Sequence, residues 1–518
     1  MSQSKKTPSI INNAYLSDAG DLGALKELKS RLSSKAKVLS MGDPDWVERL
    51  AAYSPQGEQT PAFVVECATE GDVVEALSFA RTLNLPVVAR NGAHNLAELS
   101  NVQGGVIISQ GTRTGVKCST ADKTVTFEGG CKFSHIDEHL WSNAAGWVMQ
   151  SAMIQSIGST GSHFAVGVGW LQRLVGNGID NIVSVRVVLA DGSIVTASEA
   201  ENSDLWWALR GAAPCFGIVV EMTERIHNIC DPVQGKEVRY GQYFFELDHA
   251  EKVWECINRM NNDPEFPDAA FLLPIVMFVG GKKGVMLWYA QYMYDSEKSM
   301  VITGTTRWEV ELRDLAKAEG GMPLNHYAPK GATDHDGWES VTHMELQLLF
   351  APPWCASYYP TGGFVARSKA DATFKTVVDH WRKATPEGAE DVPFFTTAFY
   401  HFGGKAQVER SPSAWPGNNE TNWLCATWGG WLVDQELMQR ATRKAQTIVW
   451  VDKLYETLRF DLQFGYICAA AFNWRSINHA RWIHGPSFDK LTEIKEKYDP
   501  DNVFSHNVNV PPKGKLYK

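Results

Sequence analysis

The chain has 518 residues, 44% of them hydrophobic and 21% charged, the balance of a globular protein rather than a disordered or fibrous one. That length exceeds what one hydrophobic core serves, so two large domains are expected. A net charge of −10 with a pI near 5.8 argues against nucleic acid and anionic membrane surfaces as partners, and no apolar run approaches the roughly 18 residues of a membrane span.

Residues 1–20 are polar, carry no apolar stretch of a secretory leader, and are expected to be a disordered lead. The cysteines are odd in number, scattered and without a Cys-x-x-Cys pair, which fits a reducing, cytosolic compartment better than a disulfide framework. Helical spacing covers Leu22 to Leu32, and Ser54-Pro55-Gln56-Gly57 marks a loop. A strand at Phe63–Glu66, a helix over Glu70 to Leu83 and a covered strand ending at Ala89 follow. Directly after that strand stands Arg90-Asn91-Gly92-Ala93-His94. Gly92 permits a sharp turn whose successive N–H groups can form a concavity suited to a pyrophosphate, with His94 at its rim.

A second glycine-rich stretch runs from Gly158 to Gly169, through Ser159, Gly161 and Gly167. Ile182 to Leu189 is β-branched and closes in the turn Ala190-Asp191-Gly192. Asn202 to Leu209 is expected as a capped helix, with Asp204 early and Gly211 just past its end. Beyond residue 230 strands lengthen and glycine-rich loops cease. Leu272 to Val279 and Val285 to Tyr292 flank Gly280–Gly284 as a hairpin, and helices are expected at Lys369–Lys383 and Gln435–Leu458.

Three tempting motifs are set aside. Gly167-Val168-Gly169 lacks the third glycine of a dinucleotide fingerprint, that position being Gln172. His135 and His139 share a helical face, but Ile136 stands where a zinc protease needs glutamate. Asn419-Glu420-Thr421 has the form of a glycosylation sequon without a secretory leader to go with it.

Taken together, Arg90–His94, Gly158–Gly169, Trp170-Leu171-Gln172-Arg173 with Gly176 and Asp180-Asn181, Phe216-Gly217-Ile218-Val219 and Tyr498–Phe504 resemble the signatures of FAD-linked oxidases. The group is the berberine-bridge-enzyme-like one of the vanillyl-alcohol-oxidase/p-cresol-methylhydroxylase superfamily, and the resemblance runs from about residue 58 to 512. It implies an α+β, two-domain flavoprotein. A PCMH-type FAD-binding domain spans residues 58–229, after a lead and helix in 1–57. An antiparallel-sheet substrate domain backed by helices spans 230–460, and residues 461–518 return to the FAD domain.

The resemblance further implies FAD contacted by Arg90, Asn91, Gly92, Ala93, His94, Gly158, Ser159, Gly161, Gly167, Gly169, Ile218 and Asn473, with a covalent bond through His94. No metal is implied. Ile154 stands where bicovalent members carry a second anchoring cysteine, so attachment is expected at one point only. The usual C-terminal tyrosines are replaced in Ala471-Phe472-Asn473-Trp474, and Val175 replaces the tyrosine before Gly176. The customary base is therefore absent. Either the substrate ionises easily, or Tyr358, Tyr359, Tyr400 or His401 takes the role; Tyr359, Tyr400 and His401 are the catalytic candidates. Trp423, Trp428 and Trp474 suggest a flat apolar pocket.

The expected activity is an FAD-dependent oxidoreductase, an oxidase abstracting hydride from a small aromatic or polyketide-like molecule to flavin N5. Molecular oxygen reoxidises the flavin, as in a tailoring enzyme of secondary metabolism. A carbohydrate oxidase, or a flavin-bearing cyclase or scaffold without net oxidation, are the alternatives.

Overall fold

Phe63–Glu66 is buried at every position, and its place explains why. It pairs in parallel with Val106–Ser109, which pairs in parallel with Val87–Arg90, and Lys37–Leu39 closes the other edge antiparallel. One face packs Phe63, Val65, Val106 and Ile108 on Val73, Leu77 and Ala80 of the helix Glu70–Thr82; the other packs Val64, Val88 and Ile107 on Trp46. Strands covered on both faces read as continuous apolar runs. The helix starts as its sequence demands, with Thr69 and Asp72 forming a reciprocal capping box.

The computed structural model describes residues 19–52, 54, 59–230, 238–295, 300–324, 338–349, 356–408, 412–433, 436–467 and 476–515. Ala471, Asn473 and Trp474 lie outside them.

A second sheet orders Val116–Ser119, Thr124–Glu128, Ile218–Asn228, Ile182–Val188 and Ile194–Ser198, with Trp147–Met149 also paired to Ile218–Asn228. Its core includes Ala480, Ile483, Phe488, Leu491 and Ile494 from two helices near the C-terminus, packed with Phe127, Ile136, Val185 and Leu209. The helix expected to be capped at Asn202 runs Ser203–Ala212 and has no side-chain cap. Asn202 sits in the left-handed region and gives its amide to Thr196 O instead, while Gly211, at φ +127, lies inside a kink.

The third sheet has nine strands, eight of them antiparallel along its main path, Met322–Pro323, Val238–Glu246, Lys282–Tyr292, Ala270–Val279, Thr396–His401, Thr421–Leu432, Ala356–Ala366 and Leu462–Gly465, with Trp338–Val341 also paired to Val238–Glu246. The expected hairpin is tighter than its glycine count suggests. Val279 pairs with Lys282, leaving Gly280 and Gly281 at φ +56 and +76 as a two-residue turn that only left-handed residues can make.

Alternation along these strands sends side chains to two environments. Tyr243, Tyr289, Phe399 and Trp423 pack on the helices Ala250–Asn262, Ala370–Arg382 and Leu437–Leu458 through Trp254, Phe374, Val377 and Leu454. Tyr240, Trp288, Tyr400 and Leu424 face Val168, Trp170 and Leu171 of the glycine-rich unit. The sheet therefore has helices on one face and the glycine-rich unit on the other. Among the described residues no helix is long and apolar enough to cross a membrane.

Candidate active site

Between that second face and the glycine-rich loops lies a cavity of about 380 Å³. Its floor is the turn after Val87–Arg90. Ala93 holds φ +53, and among the described residues the N–H groups of Asn91, Gly92 and Ala93 make no hydrogen bond. Three adjacent unused donors form a concavity for an anion. The side-chain amide of Asn91 donates to Cys131 O at 3.0 Å, whereas its Oδ1 is buried without a partner.

Opposite stands Gly158, the residue before the short helix Ser159–Phe164. A Cβ on Gly92 would lie 2.5 Å from Gly158 N, and one on Gly158 would lie 2.8 Å from Gly92 N. Only two glycines let these loops touch backbone to backbone. A Cβ on Gly161 would meet nothing within 4 Å, because Gly161 faces the cavity.

His94 reaches into the same space, its Nε2 2.9 Å from Ser156 Oγ. Burial, with a smaller effect from Lys132, lowers its pKa to about 4, so the ring is uncharged at neutral pH. Arg90 contributes its backbone; its guanidinium turns away, donating to Ala51 O and to Asn101 Oδ1 at 3.2 Å. Ile218 and Val219 form a side wall.

Three of the expected flavin contacts do not line the cavity. Ser159 gives both its N–H and its hydroxyl to Cys131 O. A Cβ on Gly167 would collide with Gly178 and His163, and one on Gly169 with Ser151 O. The stretch turns inward after Ala165, so its last glycines serve packing.

Strand alternation decides among the catalytic candidates. Tyr400 faces the cavity; His401, its neighbour, points the other way, stacked on Trp423 at 4.6 Å and lying 3.2 Å from Arg173 Nη1. Tyr358 faces the cavity with its hydroxyl given to Pro393 O, while Tyr359 points to the helices and donates to Asp452 Oδ1 at 2.9 Å. Tyr359 and His401 are thereby removed as bases, and Trp423 as a pocket wall. Trp428 remains, with Phe394 stacked on it at 5.8 Å and Tyr400 edge-on at 5.9 Å.

Sequence reasoning missed the far end, where Pro214, Phe504, His506 and Asn507 line the cavity. Asn507 donates to Pro214 O at 2.7 Å, and His506 Nε2 lies 2.6 Å from Asn101 O. The signal was the Tyr498–Phe504 signature itself. Asp499 accepts from the N–H groups of Val503 and Phe504 and from the buried Lys495 ammonium at 2.6 Å, turning the chain into the cavity.

Idle backbone donors, an unmatched buried acceptor and a glycine-lined cradle fit FAD, held by Asn91–His94, Gly158, Gly161 and Ile218. Residues 61–198 match the family described as FAD binding domain, and residues 462–511 match berberine and berberine like. The FAD-linked oxidoreductase chry5 of Gibberella zeae is 32% identical over 247 residues, covering 45% of this chain and 47% of that protein. The chain thus matches less than half the length of this relative. The FAD-linked oxidoreductase anuG of Penicillium roqueforti is 28% identical, covering 93% of this chain and 90% of that protein. In fold the chain resembles BBE-like 1 of Physcomitrella patens, with a TM-score of 0.75 at 18% identity over 95% of this chain and all of that one. It also resembles the xylooligosaccharide oxidase of Myceliophthora thermophila, with a TM-score of 0.76 at 17% identity over 96% of this chain and 100% of that one.

Fold and site are those of an FAD-binding domain set against an antiparallel sheet, as in the proteins named FAD-linked oxidoreductases that the chain resembles. Its two matched segments are the FAD binding domain and the berberine-like region of the berberine-bridge-enzyme-like flavoproteins.

Proposed function

We propose that this chain is an oxidase that removes hydride from a small aromatic or polyketide-like molecule, with FAD attached through His94 alone. Held by Asn91–His94, Gly158, Gly161 and Ile218, FAD would supply the two-electron acceptor for the hydride, with molecular oxygen as the terminal oxidant and hydrogen peroxide as its product. The observation that carries the reading is the wall facing the glycine loops. Tyr358, Phe394, Tyr400, Leu424 and Trp428 offer flat apolar surface and no charged side chain. A planar ring slides between such groups, whereas a sugar needs a denser set of hydrogen-bonding partners. Single attachment is supported by Ile154, which lines the cavity where a thiol would be needed.

Tyr400 supplies the polar contact. Burial raises the pKa of its phenol, and its hydroxyl makes no hydrogen bond among the described residues. It therefore stays protonated and donates to a substrate oxygen, so deprotonation falls to the substrate itself, as with a hydroquinone, phenol or enol. The fungal relatives and the apolar pocket support a tailoring role in secondary metabolism. The unbridged Cys67, Cys118, Cys131 and Cys215 support a cytosolic setting as part of the same proposal.

The test is peroxide release during aerobic turnover of a panel of hydroquinones, benzylic alcohols and enolisable polyketides. One peroxide per substrate oxidised is expected. Substrate rearranged without peroxide would replace the oxidase with a flavin-bearing scaffold.

A further inference from the structure

Ser156 belongs to neither glycine signature, yet it touches the His94 loop twice. Its hydroxyl lies 2.9 Å from His94 Nε2, and its carbonyl oxygen lies 3.1 Å from where a Cβ of Gly92 would sit. The segment bearing it is held at several points: Gln150 donates to Gly167 O at 2.8 Å, Gln155 to Met344 O at 3.2 Å and Gln347 to Ala152 O at 3.4 Å. The last two bonds come from or go to the helix His343–Leu349 of the other domain. Ser156 thus presents a hydroxyl on an anchored segment to the ring of His94, which stands on a turn.

We infer that Ser156 is the positioning residue for flavin attachment, holding the His94 ring in the orientation from which one of its nitrogens bonds to the 8α carbon of the flavin. The inference rests on the covalent reading given under Proposed function. Attachment forms one N–C bond and breaks one C–H bond of the 8α methyl and the N–H of the imidazole. The two hydrogens leave as protons, and the electron pair released passes to the flavin and then to molecular oxygen, which becomes hydrogen peroxide. Nothing in that balance assigns Ser156 a proton. Its contribution is orientation, which fixes two side-chain torsions before the bond forms. Two residues before Ser156 stands Ile154, at the place of the second anchoring cysteine in bicovalent relatives. Here the same segment supplies a hydrogen bond to the first anchor in place of a second covalent one.

The experiment compares holoprotein of wild type, Ser156→Ala, Ser156→Thr and His94→Ala, each expressed with riboflavin in excess. Total flavin is measured by absorbance, and the covalent share as flavin retained in the acid-precipitated pellet, at increasing times after purification. Wild type and Ser156→Thr should be fully covalent. Ser156→Ala should contain comparable total flavin but acquire the covalent bond about tenfold more slowly or worse, and His94→Ala should release all of it. Rescue by threonine separates a hydroxyl effect from a packing effect. Should Ser156→Ala hold no flavin at all, Ser156→Cys, of similar volume, is judged by the same criterion. Attachment at the wild-type rate in the variant lacking the hydroxyl would overturn the role of Ser156 and leave the His94 link standing. Wild-type protein with no pellet flavin would overturn both.

Discussion

Replacing Asp137 with asparagine should make the protein more stable at alkaline pH, although it removes a charge from an acidic chain. Asp137 lies on the helix Phe133–Asn143 at 5% exposure, and burial raises its carboxyl from 3.8 to about 7, opposed only in part by a hydrogen bond with Gln347. It borders a polar cluster across the two domains. His343 Nε2 lies 3.0 Å from Ser151 Oγ, its Nδ1 lies 2.6 Å from the Tyr292 hydroxyl, and Gln347 also donates to Ser151.

A carboxyl whose pKa is higher folded than unfolded favours folding while protonated. That advantage is lost as pH rises from the unfolded value towards 7, and above it the folded state carries an ionised, buried group. About three pKa units at 1.4 kcal/mol each give a swing of about 4 kcal/mol, of which about 3 kcal/mol falls between pH 5 and pH 8. For a chain of this length about 1 kcal/mol shifts Tm by about 1 °C. Thermal unfolding of holoprotein at pH 5, 6, 7 and 8 should therefore show Asp137→Asn gaining about 3 °C on wild type across the series. Burial lowers His343 to about 4, so it changes stability between there and its unfolded value, but it does so in both proteins alike and cancels in their difference. Parallel Tm–pH curves for the two proteins would show that Asp137 ionises normally and refute the reasoning.

Gly158→Ala should abolish FAD binding while leaving far-ultraviolet circular dichroism unchanged, because its Cβ would lie 2.8 Å from both Asn91 Cγ and Gly92 N; flavin absorbance of the purified protein checks this. Lys495→Met should destabilise by about 3–5 kcal/mol in urea titration, since it leaves the buried Asp499 carboxylate without its counter-ion. Tyr400→Phe should raise KM about tenfold, the loss of one hydrogen bond to substrate, with the pH profile of kcat unmoved; steady-state kinetics across pH separates this from a general base, whose removal would lower kcat.

The flavin side of the site was legible in the sequence because its geometry is local. Gly92, Gly158 and the strand before Arg90 announce a tight approach of backbone to ligand within a few residues of each other. Tyr359 and His401 were misplaced for a different reason. Each sits beside a tyrosine that does face the cavity, and a strand sends neighbours to opposite faces. Which of the two faces holds the flavin depends on pairing across a nine-stranded sheet that no local pattern reports. Trp423 and Trp428, an odd number of positions apart, divide in the same way. Gly167 and Gly169 show the converse error: a glycine needed for helix and loop packing reads the same as one needed for a cofactor. The Asn202 cap failed because Thr196 O competes for its amide, a contact made only in the fold.

The proposed oxidase, with an aromatic wall and the customary tyrosines replaced at Val175, Ala471 and Trp474, should select substrates that ionise on their own. Anaerobic stopped-flow reduction of the bound flavin measures this directly, with a hydroquinone and glucose as the two arms. The hydroquinone should bleach the flavin at least ~100-fold faster than glucose, since a positioned base is worth about 10²–10⁴-fold for an unactivated alcohol. Equal or faster bleaching by glucose would contradict the account and make the chain a carbohydrate oxidase.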